Sequence, residues 1–316
     1  MSSFRAGRAK FLGRIQAFSL LEVLVSVAVL SLLVVLLSSI ISAASTQWTR
    51  AGSRTEQFAE GQRAIDALSA AISRATLANY YEYLDARNEP RVAGDRTFVP
   101  ATYGPMSDLR FAMNSNDGIF FQVPSGWTTD ASVRGAKTAL NTVGFRLVES
   151  VDPSVLPSFL PPKQTRPRLI QHVEPTERLS IYSFTNGNNR YTGTKWWEDV
   201  RDDPSTQHVV ARNVVAFGLR ARSSALSKLA FNSANDPDWQ HQLPPLIDVA
   251  LVVIDEKSAE RLEASGGLAF LWGGNAPLTS ASAWDSDLTE RIPERLSDLN
   301  YGFRVFQTTV RMENAR

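Results

Sequence analysis

The chain has 316 residues, a formal net charge of +1 and no cysteine. The missing thiols exclude a disulfide framework and a thiolate metal site, so stability must come from packing. A balance this small and this mixed gives no ground for a nucleic-acid partner.

The basic residues that do gather, Arg5, Arg8, Lys10 and Arg14, stand ahead of an apolar run. From Val23 to Ala44 no side chain ionises. As a helix that stretch rises about 33 Å, enough to cross a hydrocarbon layer of ~30 Å. Cations on its leading side predict a cytoplasmic N-terminus and an exported remainder. Glu22 sits at the edge of the run. A carboxylate inside hydrocarbon costs about 2.5–3.5 kcal/mol near the middle and less toward the interface, so this one needs a partner. A secretory signal peptide has a shorter, purely apolar core. A simple signal anchor would look the same apart from Phe18 and Glu22, and a buried core helix would carry a polar face.

The stretch Ala17-Phe18-Ser19-Leu20-Leu21-Glu22 resembles the start of type IV prepilins and pseudopilins, the prepilin-type cleavage and methylation motif. In that family a basic leader ends in a small residue, the mature chain opens on Phe or a similar apolar residue, and Glu is the fifth mature residue. The resemblance implies that a prepilin peptidase cuts between Ala17 and Phe18 and that Phe18 is N-methylated. It also implies that Glu22 pairs with the terminal ammonium of an adjacent subunit during assembly. One position departs from the pattern: the residue before the cut is usually Gly and here is Ala17. Gly13 cannot replace it, because that register places Phe18 where the acid belongs. On this reading residues 1–17 are the leader, 18–45 the transmembrane and assembly helix, and the partners are prepilin peptidase, other pilin or pseudopilin subunits and the inner membrane.

The helix is expected to continue over 46–83 as an amphipathic spine. Phe58, Ile65, Leu68, Ile72 and Ala75 recur at helical spacing, with Arg50, Arg54, Glu60, Arg63, Asp66 and Arg74 mostly on other faces. Gly52 and Gly61 each weaken a helix by about 1 kcal/mol relative to Ala, which predicts a bend or local melting near Gly52. The segment Arg63 to Ala75 is similar to the rear helix of J-type minor pseudopilins of type II secretion. So is the order Trp239, Leu243-Pro244 and the apolar strand after it. In its large size, Pro-rich arm and Trp196-Trp197 the chain resembles the larger prepilin-like Verru_Chthon cassette protein C family.

Residues 84–316 read as a β-rich head. Strands are expected at 118–123, 143–148, 179–184, 214–220, 247–254 and 303–310, each short, β-branched or aromatic and bounded by breakers. Six prolines between 151 and 175 read as an irregular arm. Asn186-Gly187 reads as a turn, and Glu256 to Ala264 as a short helix stopped by Gly266-Gly267. The fold class is therefore α+β and, through the resemblance, pilin-like: one long N-terminal helix packed on an antiparallel sheet.

Enzyme chemistry is not indicated. His172, His208 and His241 stand apart, without zinc-site spacing, and read as satisfied surface histidines. Phosphate-loop and nucleophile-elbow patterns are absent, so no catalytic residue, metal or cofactor is expected. The run Glu198-Asp199-Val200-Arg201-Asp202-Asp203 could hold calcium, but lacks the full ligand pattern and reads better as an acidic loop neutralised by Arg201. Trp196 and Trp197 read as a cap on a core edge, with an exposed contact surface or a carbohydrate platform as the alternatives. The alternative to a filament subunit is a membrane-anchored periplasmic binding protein or enzyme, which a deep polar pocket in the head would favour.

Overall fold

The computed structural model describes residues 19–76, 80–82, 97–99, 118–133, 137–151, 165–180, 196–224, 242–274, 277–278 and 282–315. The chain divides into two compact units, Met1–Gly52 and Ser53–Arg316. Helix α1 (Leu20–Ser73) is helical through Gly52, so the expected local melting does not occur there. It stops at Ser73, short of the expected position 83, because Thr76 leaves the helix to bridge Gln122.

Within the second unit, the buried face of α1 carries Gln57, Gly61, Ala64, Leu68 and Ile72, and Ala75 is buried just beyond its end. The expected stripe is rotated: Phe58 is half-exposed and Ile65 only flanks the core. Gly61 is on the buried face for a steric reason, since an added Cβ would lie 2.1 Å from the Phe306 ring. Gly52, in contrast, has nothing within 4 Å of such a Cβ. Gly61→Ala is therefore expected to cost about 1–3 kcal/mol through overpacking, despite the better helix propensity of Ala. Gly52→Ala should stabilise by about 0.5–1 kcal/mol. Urea denaturation of the two variants should give shifts of opposite sign.

Two short strands, β1 (Tyr80–Glu82) and β2 (Thr97–Val99), form an antiparallel pair. A four-stranded antiparallel sheet follows in chain order: β3 (Ile119–Pro124), β4 (Leu140–Val151), β5 (Thr165–Glu174) and β6 (Gln207–Arg212). The expected Pro-rich arm is thus corrected, because residues 165–174 form an interior strand of this sheet. Pro167 is tolerated because it pairs with Glu149 of β4, whereas the ladder to β6 begins only at Arg168. The missing N–H therefore falls where no strand asks for it. The strand expected at 179–184 is also corrected at its start. Pro175 opens a 3-10 turn over Thr176–Arg178, Ser180 is again in a 3-10 turn, and residues 181–184 lie outside the described residues.

After β6 the chain changes sheet at Asn213, a non-glycine residue with φ 58°. Its carbonyl accepts from Ile254 N–H at 2.9 Å and its amide donates to Glu256 at 2.7 Å, which stabilises the left-handed turn. The second sheet, also antiparallel, contains β7 (Val214–Arg222), β8 (Leu246–Ile254) and β9 (Phe303–Arg311), with β8 in the middle. Covered on both faces, β8 reads from Val249 to Ile254 as a continuous apolar run in place of an alternation.

One core joins the rear of α1 to both large sheets, with Leu68 and Ile72 set among Ile119, Phe145, Leu169 and Leu251. A second core fills the far face of the three-stranded sheet. It is covered by α3 (Glu256–Ser265), α4 (Gly267–Trp272), α5 (Trp284–Ser286) and α6 (Ile292–Asp298). Asp255 caps α3 by accepting from Ser258 N–H at 2.7 Å, and Gly266, at φ 104°, ends it as expected. Between α5 and α6 the helix widens into a π segment, Asp287–Arg291, ahead of Pro293, which has no N–H to continue the regular ladder.

Candidate functional site

Ser19 starts α1. Its carbonyl accepts from Val23 N–H at 3.2 Å, and its hydroxyl accepts from Glu22 N–H at 3.2 Å. Ser19-x-x-Glu22 is thus the sequence of a capping box with its Ser half formed. A first-turn acid is also favoured by the helix dipole, by about 0.3–1 kcal/mol. Glu22 therefore has a local reason to exist as well as a proposed intermolecular one. Among the described residues, no cation meets its carboxylate.

Beyond Glu22 the helix is apolar on every side. Sixteen large apolar side chains between Leu20 and Ile41 are exposed. Full burial of each is worth about 1.5–3 kcal/mol, so this surface has a strong drive to leave water. The hydroxyls along it do not oppose that transfer: Ser26, Ser31 and Thr46 donate to the carbonyls of Glu22, Val27 and Ser42 at 2.7, 2.7 and 2.9 Å. Ser39 donates to Leu36 O at 2.8 Å. Each of these four hydroxyls is satisfied within the helix, as hydrocarbon requires. Leu20–Trp48 is long and apolar enough to span a membrane. Ala17 and Phe18 lie outside the described residues.

In the second unit, the rear of α1 and the four-stranded sheet bound an open groove of about 420 Å³. Ala67, Ala70 and Ala71 form one wall, Val143 and Val173 the floor, and Trp127, Arg74 and His208 the rim. Trp127 is held in place by the loop around it. Asn141 donates to Trp127 O at 2.6 Å, while Glu177 accepts from Thr128 Oγ1 at 2.7 Å and Thr129 N–H at 2.8 Å. Hydrogen bonds from Thr129 and its neighbours lower the Glu177 carboxyl to a pKa of about 2. The groove is mostly apolar and holds no acid.

The expectations for the histidines and the acidic run are sharpened. His172 is not a surface group: it is fully buried. Arg146 Nε donates to its Nε2 at 3.1 Å, which leaves the proton on Nδ1, facing Val200 O at 3.1 Å. Phe120 lies against it, with ring centroids 5.6 Å apart. Burial, then the Arg146 charge, lowers its pKa to about 4. A base depressed in this way supports the fold above its unfolded pKa of about 6.5 and loses that support as pH falls toward 4. As much as about 3 kcal/mol should be lost over that window. Urea denaturation at pH 7 and pH 4.5 tests this, and His172→Gln should remove most of the difference. Glu174, which burial pushes up, acts in the opposite sense as pH rises. Only the contrast with the variant is therefore diagnostic.

His208 is exposed, and His241 lies outside the described residues. The acidic run forms helix α2 (Trp196–Asp202), and its described carboxylates turn to different partners. Asp202 accepts from Arg201 Nε at 2.7 Å, and Asp203 accepts from Ser205 N–H at 2.8 Å. No metal-holding group of acids and histidines occurs among the described residues. Trp197 caps a core edge, stacked on Phe120 at 6.0 Å with the Arg201 guanidinium 5.3 Å from its ring. Compared with family models, with characterised proteins and with solved structures, the chain finds no match.

Proposed function

We propose that the protein is a prepilin-like subunit of a pilus or pseudopilus-like filament, cleaved before Phe18, N-methylated there and assembled through the front of α1. In this reading the leader stays cytoplasmic, the helix Leu20–Trp48 waits in the inner membrane, and the head lies in the periplasm. On assembly the apolar surface of each subunit packs against its neighbours, and Glu22 meets the Phe18 ammonium of an adjacent subunit. The pairing removes the penalty of an unpaired carboxylate and sets the axial stagger.

The observation that carries this reading is the combination in unit 1: a helix exposed and apolar all round, interrupted by one first-turn acid without a counter-ion among the described residues. Mass spectrometry of the protein from its native membranes is the test. The mature chain should begin at Phe18 and be one methyl group heavier than its sequence. A chain beginning at Met1 or Ala44 would defeat the processing claim.

The second reading, a membrane-anchored binding protein, calls for a deep polar pocket, whereas the groove between Ala67 and Val143 is open and mostly apolar. Under that reading, uncut protein would remain fully functional, and substitution of groove residues, not of Glu22, would abolish activity.

A further inference from the structure

The two ends of the apolar helix are built differently. Between Glu22 and Arg50 the sequence has no ionisable residue, and the helical rise from one to the other is about 42 Å, the thickness of a bilayer with its headgroups. At one end the acid stands directly ahead of the run that begins at Val23. At the other, the last apolar residue, Ala44, is followed by Ser45, Thr46 and Gln47, which are polar without charge. Such residues oppose entry into hydrocarbon only weakly, the more so because Thr46 already donates to Ser42 O at 2.9 Å. The next residue is Trp48, whose side chain is free to meet lipid at 79% exposure.

Along the helix axis Trp48 lies about 6 Å beyond Ala44, and each headgroup layer is about 5–7 Å deep. An indole is favoured at that depth, where its ring meets the ends of the acyl chains and its N–H meets ester and phosphate oxygens. The side chain also leans in the required sense. Long side chains on a helix fold back over the turn N-terminal to them, which here carries the ring from the headgroups toward the hydrocarbon. Residues 19–48 are all exposed except Ala44, which is half-buried and stands one turn ahead of Trp48.

We propose that Trp48 and Glu22 form a depth clamp on the front of α1, with Trp48 seated in the lipid headgroup layer opposite the one that holds Glu22. A slide toward the N-terminal side of the membrane draws the indole N–H away from its oxygens and into the acyl chains. A slide the other way carries the Glu22 carboxylate into hydrocarbon, against the penalty for a charge there. At the clamped depth that carboxylate is hydrated among headgroups. It therefore does without a counter-ion in the membrane and requires one only when the helix leaves for a filament. The clamp deepens the filament reading but rests on its membrane step alone, the embedding of Leu20–Trp48, and not on processing at Phe18.

The chain has no cysteine, so a single introduced thiol is unique. The test uses the full chain in open membrane fragments, where a charged maleimide reaches both faces. Thr46→Cys places the thiol about 200° around the helix from Trp48, out of reach of shielding by the ring. In that background Trp48→Leu should slow modification about tenfold, because leucine gains by entering the hydrocarbon and pulls the thiol in with it. The same change should speed modification of Ser26→Cys, near the Glu22 end, by about tenfold, since a slide uncovers one thiol as it buries the other. Trp48→Tyr, which keeps an amphipathic ring, should hold both rates within about twofold of those with Trp48. The proposal is overturned if Trp48→Leu changes neither thiol, if it moves both in the same sense, or if Trp48→Tyr behaves like Trp48→Leu. Extraction of the unsubstituted chain by alkaline carbonate would overturn it in another way, by removing the membrane step on which it rests.

Discussion

On the filament reading proposed above, Glu22→Gln should leave the protein inserted in the membrane and its first helical turn intact, yet lower its recovery in sheared filaments by about a hundredfold. The cap survives because Ser19 donates no part of its role to the charge: its hydroxyl accepts from a backbone N–H, and Gln serves as well as Glu at the third position of a capping box. What the amide cannot do is neutralise an ammonium removed from water. Breaking one side of such a buried pair costs about 3–5 kcal/mol, which is more than a hundredfold in an equilibrium. Membrane and filament fractions from cells expressing each form, compared by immunoblot, measure the effect. Equal incorporation of Glu22→Gln would reduce Glu22 to a helix-start residue and remove the register argument.

Asp248→Ala should be the most destabilising single change in the head, by about 3–5 kcal/mol. The Asp248 side chain is 3% exposed; one of its oxygens accepts a hydrogen bond from Arg220 Nη2 at 2.9 Å and lies 3.0 Å from Arg222 Nε as an ion pair without hydrogen-bond geometry. Thr309 Oγ1 donates to its other oxygen at 2.8 Å, which ties β8 to β9. Arg220, 8% exposed, also reaches Asp285 at 3.2 Å and lies 5.3 Å over the Trp284 ring. Removing the carboxylate leaves two cations close together and half the cluster without its acceptor. Against a typical total stability of about 5–15 kcal/mol, that loss threatens folding at ordinary temperature. Asp248→Asn, which keeps the shape and the Thr309 bond, should cost distinctly less. Urea midpoints for the two variants and the parent chain settle the order, and an unchanged midpoint for Asp248→Ala would show that the two arginines find other acceptors.

The strands at 119–124, 214–222, 246–254 and 303–311 were legible because β-branched and aromatic residues there stand between clear breakers. The short helix at 256–265 was legible from its closing glycine. β5 was not, because Pro167 counts against a strand until one sees that the neighbouring ladder starts one residue later. β6 was missed because it is short and mostly exposed, with little alternation to read. In α1 the spacing was visible but the facing was not: Gly61 looks like a weak core residue until Phe306 fills the space over it. His172 likewise could not be told from a surface histidine, since its burial is produced by Phe120, Arg146 and Val200, from three separate parts of the chain.

The apolar span, its lone acid and the basic residues ahead of it were determined by sequence alone, because they depend on local composition over a continuous stretch. The same holds for the antiparallel α+β character of the head. Which arginines share Asp248, which face of α1 is buried and how His172 is enclosed were decided only by the tertiary structure. Those properties arise from residues far apart in the chain meeting at fixed distances, and hydrogen-bond alternation, steric fit and desolvation take definite values only once that meeting has occurred.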